Sequence, residues 1–232
     1  MRLFRLIIVA LLTIFTIGLT AFTVSADILQ TGSSAPGIYE KIVSSSNQGL
    51  TSFAQSVKNN QSSQITGVYV QDVMEFPVVQ QPRSNASYVS SMPDTITQFQ
   101  MASNFHSIGL LAHDYLAGST FSDLQSGKEI YLVYGDGSLK RFQIYDIQKY
   151  QALSPNDPYS SFVDLSDGSK LSAESLFYKT YGLGKDTLIL QTCISTPSTP
   201  SWGRIFVLAR PVETVQSSTR WYTAFPLIKF SW

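Results

Sequence analysis

Thr187-Leu-Ile-Leu-Gln-Thr-Cys193 and Trp202-Gly-Arg-Ile-Phe-Val-Leu-Ala-Arg210 are two strand-like runs separated by a short polar loop. Their proximity makes them a hairpin, with Cys193 and Arg204 at its facing ends. Cys193 is the only cysteine of the 232 residues, so no intramolecular disulfide is available to it. The attacking form of a cysteine is the thiolate, which is a minor species for an ordinary thiol at neutral pH and grows beside positive charge. A lone cysteine facing a fixed cation therefore points to a nucleophile.

Working outward from this hairpin, the chain from Ile65 onward consists of short β-branched and aromatic runs divided by Gly, Asp, Asn, Ser and Pro. That pattern predicts an all-β fold with minor helices. Strands are expected at Ile65–Val70, Met74–Val79, Ser107–Ala112, Glu129–Tyr134, Lys140–Ile147 and Trp221–Trp232. Asp136-Gly137 tolerates positive φ and predicts a hairpin between Glu129–Tyr134 and Lys140–Ile147. Residues 80–104 and 154–185 are expected as surface loops, the second holding a short helix at Ala173–Thr180.

Residues 1–26 have the form of an export segment: Arg2 and Arg5, an uncharged apolar run of about 19 residues to Val24, then Val24-Ser25-Ala26. The run fits either a cleaved signal peptide or an uncleaved membrane anchor, with the anchor favoured for an enzyme acting on membrane-tethered substrates. The mature chain is expected outside the cytoplasm, at the cell surface. Residues 27–62 are rich in Ser, Gln, Asn and Gly and read as a polar stalk with one helix. Residues 63–232 remain as the catalytic-size domain.

The chain carries 16 basic and 16 acidic residues and no basic cluster outside the leader, which argues against a nucleic-acid partner. Two histidines, one cysteine and no Cys-x-x-Cys or His-Glu-x-x-His spacing leave no transition-metal site. Asp136-Gly-Ser138 and Asp164–Asp167 lack the dense acidic pattern of a calcium loop and read as turns. No cofactor is expected.

Leu110-Leu-Ala-His-Asp-Tyr-Leu-Ala-Gly-Ser-Thr-Phe-Ser-Asp-Leu124, the strand run after it, Thr192-Cys193 and Arg204-Ile-Phe-Val-Leu-Ala209 resemble, in that order, the motifs of sortases. The resemblance spans residues 65–212. Ile189 and Ala112 depart from it, standing where the family usually has threonine and glycine. It implies a closed antiparallel β-barrel and a cysteine transpeptidase that cuts a sorting motif in exported proteins and transfers the acyl group to an amine of cell-wall peptide or pilin. By the same resemblance Cys193 is the nucleophile, His113 the acid or base, and Arg204 the cation that holds substrate backbone or oxyanion. Thr192 is expected to donate a hydrogen bond in the site. Hydrolysis of the same intermediate, and a barrel that only binds peptides, are the alternative outcomes. Asp114 is left out of the set, because adjacent strand residues face opposite ways. His106 and Arg210 are expected to be structural.

Overall fold

The computed structural model describes residues 48–157 and 159–212. The export segment, the first part of the stalk and the expected strand Trp221–Trp232 lie outside the described residues. Ten strands follow in order: β1 Ile65–Val70, β2 Met74–Gln80, β3 Ile96–Phe99, β4 Ser107–Leu111, β5 Glu129–Tyr134, β6 Leu139–Ala152, β7 Phe162–Asp164, β8 Lys170–Leu171, β9 Thr187–Thr196 and β10 Thr199–Pro211. The sheet runs β10-β9-β4-β3-β2-β1-β5-β6, and β10 pairs back onto β6, so eight strands close a barrel. The expected closed β-barrel is therefore present, with one difference in its direction of pairing. Six of the eight ring pairs are antiparallel, whereas β2–β3 and β4–β9 are parallel. Parallel neighbours need long crossovers. Residues 81–95 supply one, and the chain from β4 round to β9 supplies the other.

The barrel interior is filled by side chains from every ring strand, among them Val68, Ile96, Leu110, Ile130, Phe142, Leu190 and Val207, with Phe121 closing in from the 3-10 segment Ala117–Asp123. Each large apolar side chain fully removed from water contributes roughly 1.5–3 kcal/mol before chain entropy is counted. A second apolar layer lies outside the barrel wall, where Ile189, Phe206, Leu208 and Tyr150 meet Leu176, Tyr181 and Phe162. Both faces of β9 and β10 are thus covered, which is why their sequences read as unbroken apolar runs. β6 serves both layers. It bulges against β10, where Leu208 and Ala209 face Asp146 and Ile144, so Tyr145 has no partner and side-chain parity changes. Phe142 and Ile144 point into the barrel before the bulge, and Tyr150 and Ala152 into the outer layer after it.

The outer layer is supplied by the 154–185 insertion, which folds back as β7, β8 and a helix, and not as bare loop. Residues 48–56 are helical and form α1. Residues Gln100–Ser103 make a single helical turn, α2, and Ala173–Thr180 form α3, capped by Ser172 Oγ accepting from the Ser175 N–H at 3.0 Å. Phe53 and Ala54 of α1 pack on Val133 and Tyr69, so this part of the segment read as stalk lies against the barrel wall. Among the described residues no helix is long and apolar enough to cross a membrane.

Candidate active site

The parallel pair β4–β9 positions the site. Its register runs from Ser107 opposite Thr187 to Leu111 opposite Gln191. Past that point the Ala112 N–H donates to the Gln191 carbonyl at 3.2 Å, and Thr192 Oγ1 donates to the Ala112 carbonyl at 2.8 Å. His113 follows Ala112 as Cys193 follows Thr192, so this clamp ties the histidine turn to the cysteine strand. The chain then reverses, with the N–H groups of Leu116 and Gly118 both donating to the His113 carbonyl at 3.0 Å.

Gly118 is required at this reversal. A Cβ there would overlap Thr192 Oγ1 and come within 2.7 Å of the His113 carbonyl oxygen, which is backbone and cannot swing aside. Gly118→Ala is expected to cost about 1–3 kcal/mol of stability by overpacking. It should also slow reaction at Cys193, since the strain falls on the clamp between the histidine turn and the cysteine strand. Urea midpoints together with the alkylation rate of the thiol would check both effects, and wild-type values for both would refute the account.

Cys193 is half-buried on β9, and Arg204 is its direct partner on β10. Directly opposed residues of an antiparallel pair project to the same face. Stepping back by twos, that face carries Gln191 opposite Phe206 and Ile189 opposite Leu208. Beside Cys193 lies a cavity of about 590 Å³, lined by Tyr115, Leu165, Trp202 and Ile205, with Asp114 and Lys149 as its charged residues. Arg204 borders a smaller cavity of about 270 Å³ together with Phe162, Phe177 and Tyr181. Burial pushes the Tyr181 hydroxyl well above its usual range, so it stays protonated and donates to Gln191 Oε1 at 2.7 Å.

Cys193 and Arg204 are thus cross-strand partners, with the His113 turn tied to the cysteine strand through Ala112 and Thr192, and no hydrogen bond joins the three side chains. Arg204 Nη1 donates to the carbonyls of Ser201 at 2.9 Å and Gly203 at 2.7 Å, with the guanidinium 6.0 Å from the Phe162 ring centroid. The His113 ring stacks on Tyr115, centroids 5.2 Å apart and planes at 23°. Thr192 is buried, and its hydroxyl proton is committed to Ala112. The hydrogen bond it donates fastens β9 to the residue before His113. His106 sits in the turn before β4, at the other end of that strand from His113, and Arg210 is exposed further along β10.

Asp114, left out of the catalytic set, lines the cavity beside Cys193. Strand alternation does not apply to it, because β4 has ended and Asp114 lies in the turn, where its Oδ2 accepts from Ser195 Oγ at 2.5 Å. The expected polar loop after Cys193 is also largely strand: β9 continues to Thr196 and β10 begins at Thr199. Ser195 and Ser201 in this hairpin carry no sequence signal of their own, since serine is ordinary in a polar, turn-forming stretch.

The sequence matches no family model and no curated protein. Among solved structures, the chain is similar to sortase A of Listeria monocytogenes, with 13% identity and a TM-score of 0.41 over 64% of this chain and 88% of that one. It is similar also to sortase C1 of Streptococcus suis, with 12% identity and a TM-score of 0.42 over 81% and 92%. Sortase C of Clostridium perfringens SM101 gives 11% identity and a TM-score of 0.39 over 78% and 93%. Likeness at this level carries no function across, and the barrel and its site stand on their own geometry.

Proposed function

We propose that this chain is a sortase-type cysteine transpeptidase acting outside the cytoplasm. The observation that carries the reading is the clamped end of the parallel β4–β9 pair, which brings the His113 turn beside Cys193 while Arg204 stands opposite across β10. The ordered His, Thr-Cys and Arg motifs support it independently.

In this mechanism the Cys193 thiolate attacks the carbonyl carbon of a peptide bond in the sorting motif of an exported protein. The tetrahedral oxyanion is held by guanidinium donors of Arg204, and among the described residues only its Nη1 is engaged in hydrogen bonds. The C–N bond breaks as His113 gives a proton to the departing amine, leaving a thioester on sulfur. An incoming amine, from cell-wall peptide or a pilin lysine, attacks that carbonyl and loses its proton to His113. The C–S bond breaks and the thiolate returns. The apolar cavity beside the sulfur suits an extended peptide segment better than a charged one. Residues 1–26 would deliver the domain to the surface, and the segment from 27 would space it from the membrane.

The test is incubation of the chain with a library of sorting-motif peptides, with and without an added amine, followed by intact-mass analysis. An adduct on the single cysteine together with amine-dependent ligated product is the expected result. An adduct that turns over equally without amine would make the chain a cysteine peptidase. Folded protein that forms no adduct with any peptide would leave a barrel that binds peptides without cutting them.

A further inference from the structure

We propose that Ser201 is a further catalytic residue of this site, its hydroxyl donating to Cys193 Sγ and favouring the thiolate. The inference rests on the reading of Cys193 as a nucleophile and adds a group that reading did not contain.

The β9–β10 hairpin is irregular where it passes the thiol. Thr196 pairs with Thr199 and Ile194 with Gly203, so one residue of β9, Ser195, faces the three residues 200–202 of β10. Such bulges re-aim side chains that regular pairing would direct elsewhere. Ser201, at the centre, has φ 57°, a left-handed conformation that few residues other than glycine adopt. A strained residue persists where its surroundings hold it from several sides. Here every polar group of Ser201 is engaged. Its N–H donates to Ser195 Oγ at 3.1 Å, its carbonyl accepts from Arg204 Nη1 at 2.9 Å, and its Oγ donates to Cys193 Sγ at 3.6 Å. Ser195 Oγ donates in turn to Asp114 Oδ2, in the residue that follows His113.

Ser201 therefore touches the sulfur and the arginine directly, and the histidine turn through Ser195. A hydroxyl proton directed at sulfur stabilises S⁻ more than S–H, because the anion is the stronger acceptor. The Asp114–Ser195 pair keeps that proton aimed. Asp114 accepts the Ser195 proton, which leaves Ser195 Oγ lone pairs for the Ser201 N–H. Among the described residues, the charged groups nearest the sulfur are Asp114 and Lys149 lining its cavity and Arg204 opposite, with His113 in the turn after β4. None of them is altered by a change at position 201.

The experiment is the pH–rate profile for alkylation of the single cysteine by iodoacetamide in the full chain, read by intact mass. Ser201→Gly removes the hydroxyl while glycine accepts the positive φ freely, so the backbone is kept. The profile is expected to move to higher pH by about 0.5–1 unit, slowing alkylation at pH 7 about 3- to 10-fold. Ser201→Ala removes the same hydroxyl on a strained backbone and is expected to give the same shift. A Ser201→Gly profile that overlays the wild type overturns the proposal, as does a shift confined to Ser201→Ala, which would assign the effect to backbone. No peptide or amine enters this assay. A shift without transpeptidation would therefore overturn the proposed function alone, and transpeptidation without a shift would overturn the role of Ser201 alone.

Discussion

A Cys193→Ala chain is expected to form no peptide adduct and to lose peptide cleavage completely while keeping its fold. The substitution removes one half-buried atom whose side-chain hydrogen bond among the described residues comes from Ser201 at 3.6 Å, so its effect on stability should stay below about 1 kcal/mol. Its effect on reaction is total, because this chain has no second thiol. Arg204→Ala makes the informative comparison. The guanidinium is asked to stabilise charge that appears only in the transition state, and losing one such group costs about 10²–10³-fold in kcat. The adduct would still form in Arg204→Ala, slowly. Lysine should restore little of the rate, since one ammonium cannot reproduce a planar fork that already spends Nη1 on two carbonyls. Fluorogenic-peptide cleavage and intact mass on the three variants give the answer. An adduct persisting in Cys193→Ala would move the nucleophile elsewhere, and Arg204→Ala within twofold of wild type would remove the arginine from the chemistry.

The residues carrying that series sit in elements with strong local sequence signals. β9 and β10 are legible as unbroken apolar runs because apolar layers cover both of their faces. The β5–β6 hairpin is legible because its turn needs Gly137 at φ 89° and because Asp136 Oδ1 accepts from the Ser138 N–H at 2.9 Å. The helix expected at Ala173–Thr180 is present with those bounds, capped by Ser172. β3 has no such signal. Its four residues lie within a segment read as loop, and what makes Ile96–Phe99 a strand is parallel pairing with Val78–Gln80 across a crossover held by Gln81. Pairing of that kind leaves no mark on the nearby sequence. The bulge at Tyr145 is equally silent, since it is defined by what lies opposite it on β10.

The site divides along the same line. Strand order and spacing decide which residues lie near one another, with Cys193 paired to Arg204 and the His113 turn tied to the same strand through Ala112. Where their side chains point does not follow. Thr192 turns its hydroxyl to Ala112 because the clamp needs it, and Asp114 escapes strand alternation because β4 ends before it. Arg204 bonds carbonyls of its own strand because the irregular hairpin carries the Ser201 carbonyl within reach. Each of these depends on where a strand stops or bulges, which one or two residues decide.

Lys179→Met is expected to destabilise the protein by about 2–3 kcal/mol at pH 7 and to flatten its response to acid. Asp164 ends β7 with its side chain only 7% exposed, and Lys179 Nζ on α3 lies 2.7 Å from its Oδ2. Burial alone would raise the Asp164 pKa, but hydrogen bonds from Lys179 and from the N–H and hydroxyl of Ser166 outweigh it and hold the carboxyl at about 2. An aspartate in the unfolded chain titrates near 3.9, so the depressed group adds stability that is complete above about pH 5 and is lost as pH falls through about 4 to about 2. The Lys179 pKa is raised, chiefly by its bond to Asp164, and its contribution is present below about 10.5 and lost above it. Methionine keeps the length of the side chain but leaves a buried carboxylate without its cation. Asp164→Asn should cost less, about 1 kcal/mol, because Lys179 is 40% exposed and returns to water. The pair also bears on the site: Lys179 Nζ lies 5.5 Å from the Tyr150 ring centroid, and Tyr150 is the strand partner of both Asp164 and Arg204. Loosening this tie frees the insertion from the strand that backs the arginine, so peptide turnover should fall in Lys179→Met even where the protein remains folded. Urea midpoints at pH 7, 4 and 2.5 would decide the matter. A Lys179→Met midpoint matching wild type at all three would mean that Ser166 alone satisfies the carboxylate and that the insertion is held by its apolar layer without the ion pair.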